Sequence, residues 1–387
     1  MTNHLVGMTH PLRIRDVRAI PLHTTETSQA AGPGACLVEI ETDDGLVGIG
    51  EACTQSEYDE ASLAAQVIIE RGLKPLLIGE DPLNIRRIWE KLYIGTEWFG
   101  RAGIVMYAIS GIDIALWDLM GRTLGISVSR LLGGRFRETI KVYASVIFNM
   151  KDFQAMSAEA KKLVKEGYQA VKFGWGQTRD TSFGLDASQD EAAIKHLREE
   201  LGSDIAIMID VGRYVNWTGS HAIGMARRLA KYAISWLEEP LPQDDIAGYV
   251  RLTRSSPIPI AGGEGEYNRF GFRRLISNHA LDIVQPDLSR AGGLTEGMRI
   301  ADMAQTNNIS LVPHGFSTAV NVAANLQWVA ALPSGSLLEF RRTETPLIAA
   351  LTRDPFEAEL GSLRIPDKPG LGIEVNREVV EEHRVRK

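Results

Sequence analysis

The stretch ISWLEEP, residues 234–240, is an apolar run that ends in two adjacent carboxylates and a proline. The run has the length and composition of a buried strand, and Glu238 and Glu239 follow it without an intervening turn. A desolvated charge without a partner is very unfavourable, so the end of this strand requires a cation nearby. Short apolar runs closed by an acidic residue recur along the chain, and they predict its architecture.

From about residue 140 the sequence alternates between strand-like and helical periodicity. The strand-like runs are IKVYASVI, AVKFGWG, DIAIMIDVG, ISWLEEP, IPIAGGEG, LDIVQPDL, ISLVPHGF and SLLEF, and most are separated by amphipathic helical stretches. Eight parallel strands close a barrel. The alternative, an open doubly wound sheet, is not supported, because no GxGxxG motif follows the first strand. We therefore predict an α/β fold with a modified (β/α)8 barrel.

The first part of the chain has a different order of elements. RIRDVRAIPLH and ACLVEIETDDGLVGIGEA alternate like antiparallel strands, with TDDG as a turn, and two long helical stretches follow. Strands followed by helices indicate a separate α+β domain. We predict an N-terminal α+β domain at residues 1–135, the barrel at 136–340, and a C-terminal segment at 341–387 that returns to the first domain.

The bulk properties exclude several classes of partner. The chain has 387 residues, a formal net charge of -7 and a pI near 5.7, without the basic stripe that nucleic acid requires. Apolar runs such as DIAIMID are too short to span a bilayer, and the N-terminus lacks the pattern of a signal peptide. Cys36 and Cys53 make no disulfide framework. We expect a cytoplasmic protein that binds neither nucleic acid nor membranes.

Three successive predicted strands end in an acidic residue, namely Asp210, Glu238 and Glu264. The carboxyl ends of barrel strands converge on one mouth, where barrel enzymes keep their active sites. Each acid alone is equally well explained as the cap of the following helix. Three together would repel one another unless a multivalent cation lies between them, and oxygen ligands select Mg²⁺, with Mn²⁺ as a substitute. In LEEP, only Glu238 is expected to face the mouth, since side chains alternate along a strand.

Further candidates follow the other predicted strands. Asp287 and His314 close the sixth and seventh, where the carboxylate would fix the tautomer of the imidazole and raise its pKa, as a general base requires. Lys172, on the second strand, would neutralise a substrate carboxylate or enolate oxygen. Glu339, on the last, would donate a hydrogen bond if burial keeps it protonated. The alternatives are a satisfied buried histidine, helix caps, and a lysine whose ammonium reaches solvent.

This series, together with the tail motif PGLGIE, resembles the enolase superfamily, mandelate racemase subgroup, over nearly the whole chain. The resemblance implies a TIM-type barrel under an α+β capping domain, bound Mg²⁺, and removal of the proton α to a substrate carboxylate to give a metal-stabilised enediolate. It also implies a homo-oligomer. The relatives most similar in the acid–histidine pair mostly dehydrate acid sugars, so the expected partner is a small sugar acid.

Departures from the family pattern bear on the reaction. The family commonly has Lys-x-Lys on the second strand, whereas this chain has Lys172, Phe173 and Gly174, so the second base is missing. Gly212 stands where some relatives carry a histidine acid. A racemase needs a base on each face, and only His314 is found. We therefore predict a Mg²⁺-dependent dehydratase of an aldonate or aldarate, with a racemase or epimerase, or a catalytically silent sugar-acid binder, as alternatives.

Substrate specificity is expected to come mainly from loops of the capping domain. The candidates there are His23 and Thr24 after the first strand, and Trp98 and Arg101 in the segment TEWFGRAG. Trp175, in the GWGQTRD loop of the barrel, is a further candidate, and the alternative of an epimerase would take its second base from this loop. Each of these side chains is equally well explained as a surface or interdomain contact.

Overall fold

The structure is a computed structural model that describes residues 12–23, 34–54, 59–176, 178–212, 214–335, 337–340 and 346–386. Its N-terminal part is an antiparallel sheet followed by helices. These elements are β1 (Ile14–His23), β2 (Gly34–Thr42), β3 (Val47–Ala52), α1 (Glu60–Val67), a π-helical turn (Ile68–Leu73), α2 (Lys74–Leu77), α3 (Ile85–Gly95), α4 (Ile104–Leu124) and α5 (Val128–Leu131).

The predicted turn TDDG joins β2 to β3. Gly45 has φ of +87°, a conformation that glycine adopts without strain, and its amide donates to the carbonyl of Thr42. Asp44 accepts a hydrogen bond from the Leu46 amide, which closes the turn. The sheet order is β1-β2-β3, and its inner face packs on α4.

Helix α4 is the central helix of this domain. By length and composition it is able to cross a membrane, which corrects our statement that no apolar run is long enough. It is buried over 78% of its most apolar stretch, because the sheet, neighbouring helices and residues 293–306 of the barrel surround it.

The second part is the predicted (β/α) barrel, whose eight strands pair in parallel in the order β10-β9-β8-β7-β6-β5-β4-β11. The strands are β4 (Thr139–Ile147), β5 (Ala170–Gly174), β6 (Ala206–Asp210), β7 (Ile234–Glu238), β8 (Ile260–Gly262), β9 (Ile283–Val284), β10 (Ser310–Leu311) and β11 (Leu337–Phe340). The helices are α6 (Phe153–Lys165), α7 (Ala187–Leu201), α8 (Gly219–Leu229), α9 (Ile246–Ser255), α10 (Asn268–Ser277), α11 (Gly293–Thr306) and α12 (Ala319–Ala330), with 3-10 turns at Arg179–Thr181 and Ala230–Tyr232.

The interior of the barrel is filled by inward-facing side chains at alternate strand positions. Tyr143, Met208 and Trp236 belong to one buried cluster, and the rings of Tyr143 and Trp236 meet edge to face at 5.5 Å. Asp210 lies two residues after Met208 on β6, and Glu238 lies two residues after Trp236 on β7. Because alternate residues of a strand face the same side, both carboxylates point into the mouth of the barrel.

The C-terminal segment contains α13 (Pro346–Ala349), β12 (Ser362–Arg364) and α14 (Arg377–His383). Strand β12 pairs antiparallel with β4 of the barrel. Beyond it the chain contacts the N-terminal domain: the Leu371 amide donates to the buried carboxylate of Asp118 at 2.7 Å, and the Val385 amide donates to the Pro21 carbonyl at 3.0 Å. The segment thus contacts both of the other parts of the molecule.

Candidate active site

The three predicted metal ligands come together at the carboxyl ends of neighbouring strands. Asp210 ends β6 and Glu238 ends β7, and the two are directly paired in the sheet. Glu264 lies two residues beyond β8, which is shorter than the sequence predicted. One carboxylate oxygen from each of the three lies within 4.8 Å of the others. Asp210 and Glu238 are buried, whereas the side chain of Glu264 is 20% exposed.

A single ammonium group lies against this cluster. Lys172 Nζ, on β5, is 2.5 Å from Glu238 Oε1, 3.0 Å from Glu339 Oε1 and 4.0 Å from Asp210 Oδ2. Burial lowers the pKa of Lys172, but the carboxylates outweigh this effect and hold the pKa well above its usual value. Glu238 also accepts hydrogen bonds from Trp236 Nε1 at 2.9 Å and Gln285 Nε2 at 2.8 Å.

The cluster contains more negative charge than Lys172 offsets. Burial, and then repulsion from Glu238, raise the pKa of Asp210 well above its usual value, and Lys172 counters only part of this rise. The three carboxylates by themselves therefore favour a proton on Asp210. A divalent cation would replace that proton, so the donor set fits Mg²⁺ or Mn²⁺.

Asp287 and His314 form a dyad on the other side of the mouth. His314 Nδ1 lies 2.7 Å from Asp287 Oδ2, and the other oxygen of Asp287 accepts from the Ser289 amide, the Ser289 hydroxyl and Asn321 Nδ2 at 2.6–3.0 Å. Burial raises the pKa of Asp287, but His314 and Arg290 more than cancel this and lower it to about 2. The ionised Asp287 therefore holds the proton on Nδ1.

The other ring nitrogen of His314 faces the metal ligands. Nε2 lies 3.4 Å from Glu264 Oε2 and 4.0 Å from Glu339 Oε2. Burial lowers the pKa of His314, whereas Glu264 and Asp287 raise it by more, so the pKa lies above its usual value. Because Nδ1 carries the proton and donates it to Asp287, the lone pair of neutral His314 is on Nε2.

Glu339 differs from our expectation. It lies within β11, and burial was expected to keep it protonated. Burial does raise its pKa, but Lys172, His314 and a hydrogen bond from the Gly315 amide at 3.1 Å lower the pKa to about 2. Glu339 is thus ionised and accepts hydrogen bonds rather than donating one.

A cavity of about 220 Å³ joins the two sides of the mouth. Its lining includes Asp210, Glu264 and His314, and also Trp175 from the loop after β5. Side chains that the sequence analysis did not assign to the site complete the wall: Cys53, Tyr107, Glu239, Gln243, Arg290 and Phe316.

Of the four candidates of the capping domain, the three that the structure describes, His23, Trp98 and Arg101, do not line this cavity. Trp98 is 92% exposed, and Arg101 is exposed, with its carbonyl accepting from Asn268 Nδ2. His23, at the end of β1, pairs with Gly34 in the sheet. Thr24 lies outside the described residues. The substrate contacts of these side chains therefore stay predictions.

Two residues that support the site were missed by sequence reasoning. Gln285 precedes Asp287 by two positions and donates to Glu238, so strand alternation was a usable signal for it. Tyr107 comes from α4 and reaches the cavity beside Tyr267, whose hydroxyl lies 3.5 Å from its own. No periodicity of α4 distinguishes Tyr107 from its buried neighbours.

Comparison with known proteins places this site in a family. Residues 9–133 match the model of the mandelate racemase / muconate lactonizing enzyme N-terminal domain, and residues 155–379 match that of the enolase C-terminal domain-like family. The chain is 38% identical to the D-galactarolactone cycloisomerase of Agrobacterium fabrum, over 90% of this chain and 91% of that protein.

Two further similarities agree with this placement. The arabinonate dehydratase of Saccharolobus solfataricus is 35% identical over 90% of each chain. A solved racemase from Streptomyces coelicolor with bound magnesium is 28% identical, with a TM-score of 0.85 over 96% of this chain and 100% of that one. Dehydratases among the relatives are hydro-lyases, and they support an enzyme of the lyase class. The chain belongs to the mandelate racemase / muconate lactonizing enzyme family of the enolase superfamily.

Proposed function

We propose that the protein is a Mg²⁺-dependent dehydratase of a sugar acid, either an aldonate or an aldarate. It removes the C2 proton and expels the 3-hydroxyl group, and the product is a 2-keto-3-deoxy sugar acid. The observation that carries this proposal is the single base, His314 oriented by Asp287, which faces the carboxylate cluster across the cavity.

Asp210, Glu238 and Glu264 would hold the metal ion, with Mn²⁺ as a possible substitute. Bound there, Mg²⁺ would engage the substrate carboxylate and make the neighbouring C–H bond acidic enough to ionise. Lys172 lies between Glu238 and Glu339, where its ammonium neutralises negative charge that develops on the substrate.

His314 Nε2 is the proposed base. The C2–H bond breaks, its proton passes to Nε2, and its electrons form the C2–C3 double bond as the C3–O bond breaks. The imidazolium then gives its proton to the departing hydroxyl, which leaves as water, and the resulting enol tautomerises to the 2-keto acid. Asp287, held at a pKa of about 2, stabilises the imidazolium throughout.

Glu339 is proposed as an acceptor for a substrate hydroxyl. Its Oε1 forms an ion pair with Lys172 Nζ at 3.0 Å, and a carboxylate oxygen in such a pair has a further lone pair that is able to accept. A substrate hydroxyl placed there would donate to it. This role replaces the donor role that a protonated Glu339 would have had.

The face of the cavity opposite His314 argues against a racemase. Trp175 lies over Gly212, where a side chain carbon would collide with the indole nitrogen, so the indole occupies the place of a side chain at position 212. A Cβ at Gly174 would meet Asp210 Oδ2 at 3.4 Å. Among the described residues that line the cavity, His314 is the only lysine or histidine.

A second candidate is a cycloisomerase, because a relative 38% identical to this chain is named D-galactarolactone cycloisomerase. The same base would start that reaction, but the bond that breaks at the carbon β to the carboxylate would be that of a ring oxygen in place of a hydroxyl group. The two reactions are therefore distinguished by the mass of the product rather than by the base.

The test is a screen of aldonates, aldarates and their lactones with Mg²⁺, detecting 2-keto acids as semicarbazones and recording product mass. Loss of one water supports the dehydratase, and an isomer of unchanged mass supports the cycloisomerase. Exchange of the α proton with solvent deuterium without net product would support an epimerase. Binding without turnover or exchange would support a catalytically silent binder and overturn the proposal.

The proposal includes a cytoplasmic homo-oligomer. Cys36 and Cys53 are both buried free thiols, which suits a reducing compartment. Trp98, Phe99 and Phe136 are large exposed apolar side chains, of the kind that subunit interfaces cover. Light scattering of the purified protein measures the assembly state.

A further inference from the structure

A buried carboxylate from the N-terminal domain reaches into the barrel. Glu51 lies near the end of β3 and is fully buried. The alternate glycines Gly48 and Gly50 allow β3 to lie directly on α4, since a side chain at Gly50 would collide with the carbonyl of Gly111. This close packing fixes the backbone from which Glu51 extends.

Glu51 binds the beginning of α12 through four donors. Its carboxylate accepts hydrogen bonds from the hydroxyls of Ser317 and Thr318, the latter at 2.5 Å, and from the amides of Thr318 and Asn321 at 3.4 and 3.0 Å. All of these groups are buried. Burial raises the pKa of Glu51, and the hydrogen bonds from Ser317 and Thr318 lower it in part. Four buried hydrogen bonds to one carboxyl group restrain the beginning of α12 in either protonation state.

Asn321 continues the network to the dyad. Its side-chain amide donates to Asp287 Oδ1 at 3.0 Å and to the Ser289 hydroxyl at 2.7 Å. Its oxygen accepts from Asn325 Nδ2 at 2.9 Å, and Asn325 also donates to the carbonyl of His314 at 3.3 Å. An uninterrupted series of buried hydrogen bonds therefore joins Glu51 to both members of the dyad.

We propose that Glu51 is a positioning residue: through Asn321 it fixes Asp287 and His314, so that the base is correctly oriented only while the capping domain is docked. This inference rests on the proposed function for the role of His314. The network itself is independent of which sugar acid the enzyme uses.

A second interdomain contact provides a matched control. Asp113, on α4, is also buried, and it accepts from the Thr295 amide at the beginning of α11 at 2.9 Å. Glu51 and Asp113 thus both bind the first turn of a barrel helix from the capping domain. No hydrogen bond among the described residues continues from the Asp113 carboxylate to Asp287 or His314.

The experiment compares Glu51→Gln, Asn321→Ala, the double variant and Asp113→Asn in the full-length protein with Mg²⁺. With the sugar acid found in the screen, we expect kcat of Glu51→Gln to fall about 10- to 100-fold with KM within about twofold. Deuterium at C2 is expected to slow this variant more than the wild type, because proton removal becomes limiting. The loss in the double variant should be smaller than the product of the single losses.

A readout without turnover separates this proposal from the proposed function. The His314 Nδ1 proton, bonded to ionised Asp287, should give a strongly downfield proton resonance that Asp113→Asn retains and His314→Asn removes. A shift of this resonance in Glu51→Gln supports positioning even if no sugar acid reacts. An unchanged resonance, an unchanged isotope effect or additive losses would overturn the proposal that Glu51 positions the dyad.

If Glu51→Gln does not fold, Ser317→Ala should show a smaller shift of the His314 resonance, and no shift there would overturn the proposal.

Discussion

The two sides of the barrel mouth bury carboxylates in opposite ways. On the β6–β8 side, Asp210 and Glu238 share the Lys172 ammonium and Glu264 lies 3.6 Å from the Arg290 guanidinium, while burial and then repulsion from Glu238 raise the pKa of Asp210 well above its usual value. On the β9–β10 side, Asp287 accepts from an amide, a hydroxyl, a carboxamide and an imidazole, and its pKa is lowered to about 2.

The carboxylate cluster therefore requires a bound cation, whereas the Asp287–His314 dyad has its hydrogen-bond partners within the protein. Negative charge on the first side is only partly compensated by Lys172 and Arg290 until a cation arrives, whereas every group that hydrogen bonds directly to Asp287 is already present in the protein. The metal side is thus expected to respond to Mg²⁺, and the dyad to keep its geometry without it.

The largest effect is expected on the dyad side. His314→Asn removes the base but preserves shape and polarity, so kcat of the sugar-acid reaction should fall by about 10³-fold or more. Mg²⁺ affinity, measured by titration calorimetry, should change by less than about threefold, because the carboxylate cluster is intact. Retention of activity in this variant would remove His314 from the mechanism.

The adjacent residues Glu238 and Glu239 give the sharpest test of the metal side. Glu238→Gln should weaken Mg²⁺ binding on the order of 100-fold, equivalent to about 2.7 kcal/mol. Glu239 accepts from Gln243 and the Gly263 amide, away from Lys172, so Glu239→Gln should stay within about threefold of wild type. Equal losses in both variants would contradict the assignment of Glu238 as the ligand.

Asp113, the interdomain contact outside the dyad network, should make the stability of the protein depend on pH. Burial is the largest cause that raises the pKa of Asp113 to about 7. The resulting stability is fully present below about pH 4 and is lost as the pH rises through about 7. Asp113→Asn stays neutral, so its stability relative to wild type should rise by up to about 4 kcal/mol between about pH 4 and pH 8. Urea unfolding at both pH values measures this, and a constant difference would contradict it.

The smallest effect is expected outside both regions. Trp98 is 92% exposed and does not line the cavity, so Trp98→Ala should leave kcat/KM within about twofold. Trp175→Ala, which opens the wall over Gly212, is the comparison variant and should reduce kcat/KM by a larger factor. A large loss in Trp98→Ala would restore Trp98 as a substrate contact.

The sequence predicted the side chains that follow the barrel strands better than the contacts that reach them from distant parts of the chain, for a physical reason. Strand alternation after Trp236 places Glu238 inward, a local rule that requires no knowledge of the rest of the fold. The ionisation of Glu339 depends on Lys172, more than 160 residues earlier in the chain, and local burial alone suggested the opposite state. Likewise, Glu51 is a strand residue of another domain, and no periodicity indicates which helix of the barrel it binds.

The carboxylate of Asp118 has a consequence for biosynthesis. It accepts from the Ile49 and Leu371 amides and from the Arg122 side chain, so the N-terminal domain is completed by a segment made about 250 residues later. On the ribosome, the Asp118 carboxylate therefore lacks one of its two backbone partners until Leu371 has emerged. The last steps of folding of the first domain must wait until translation has reached the end of the barrel.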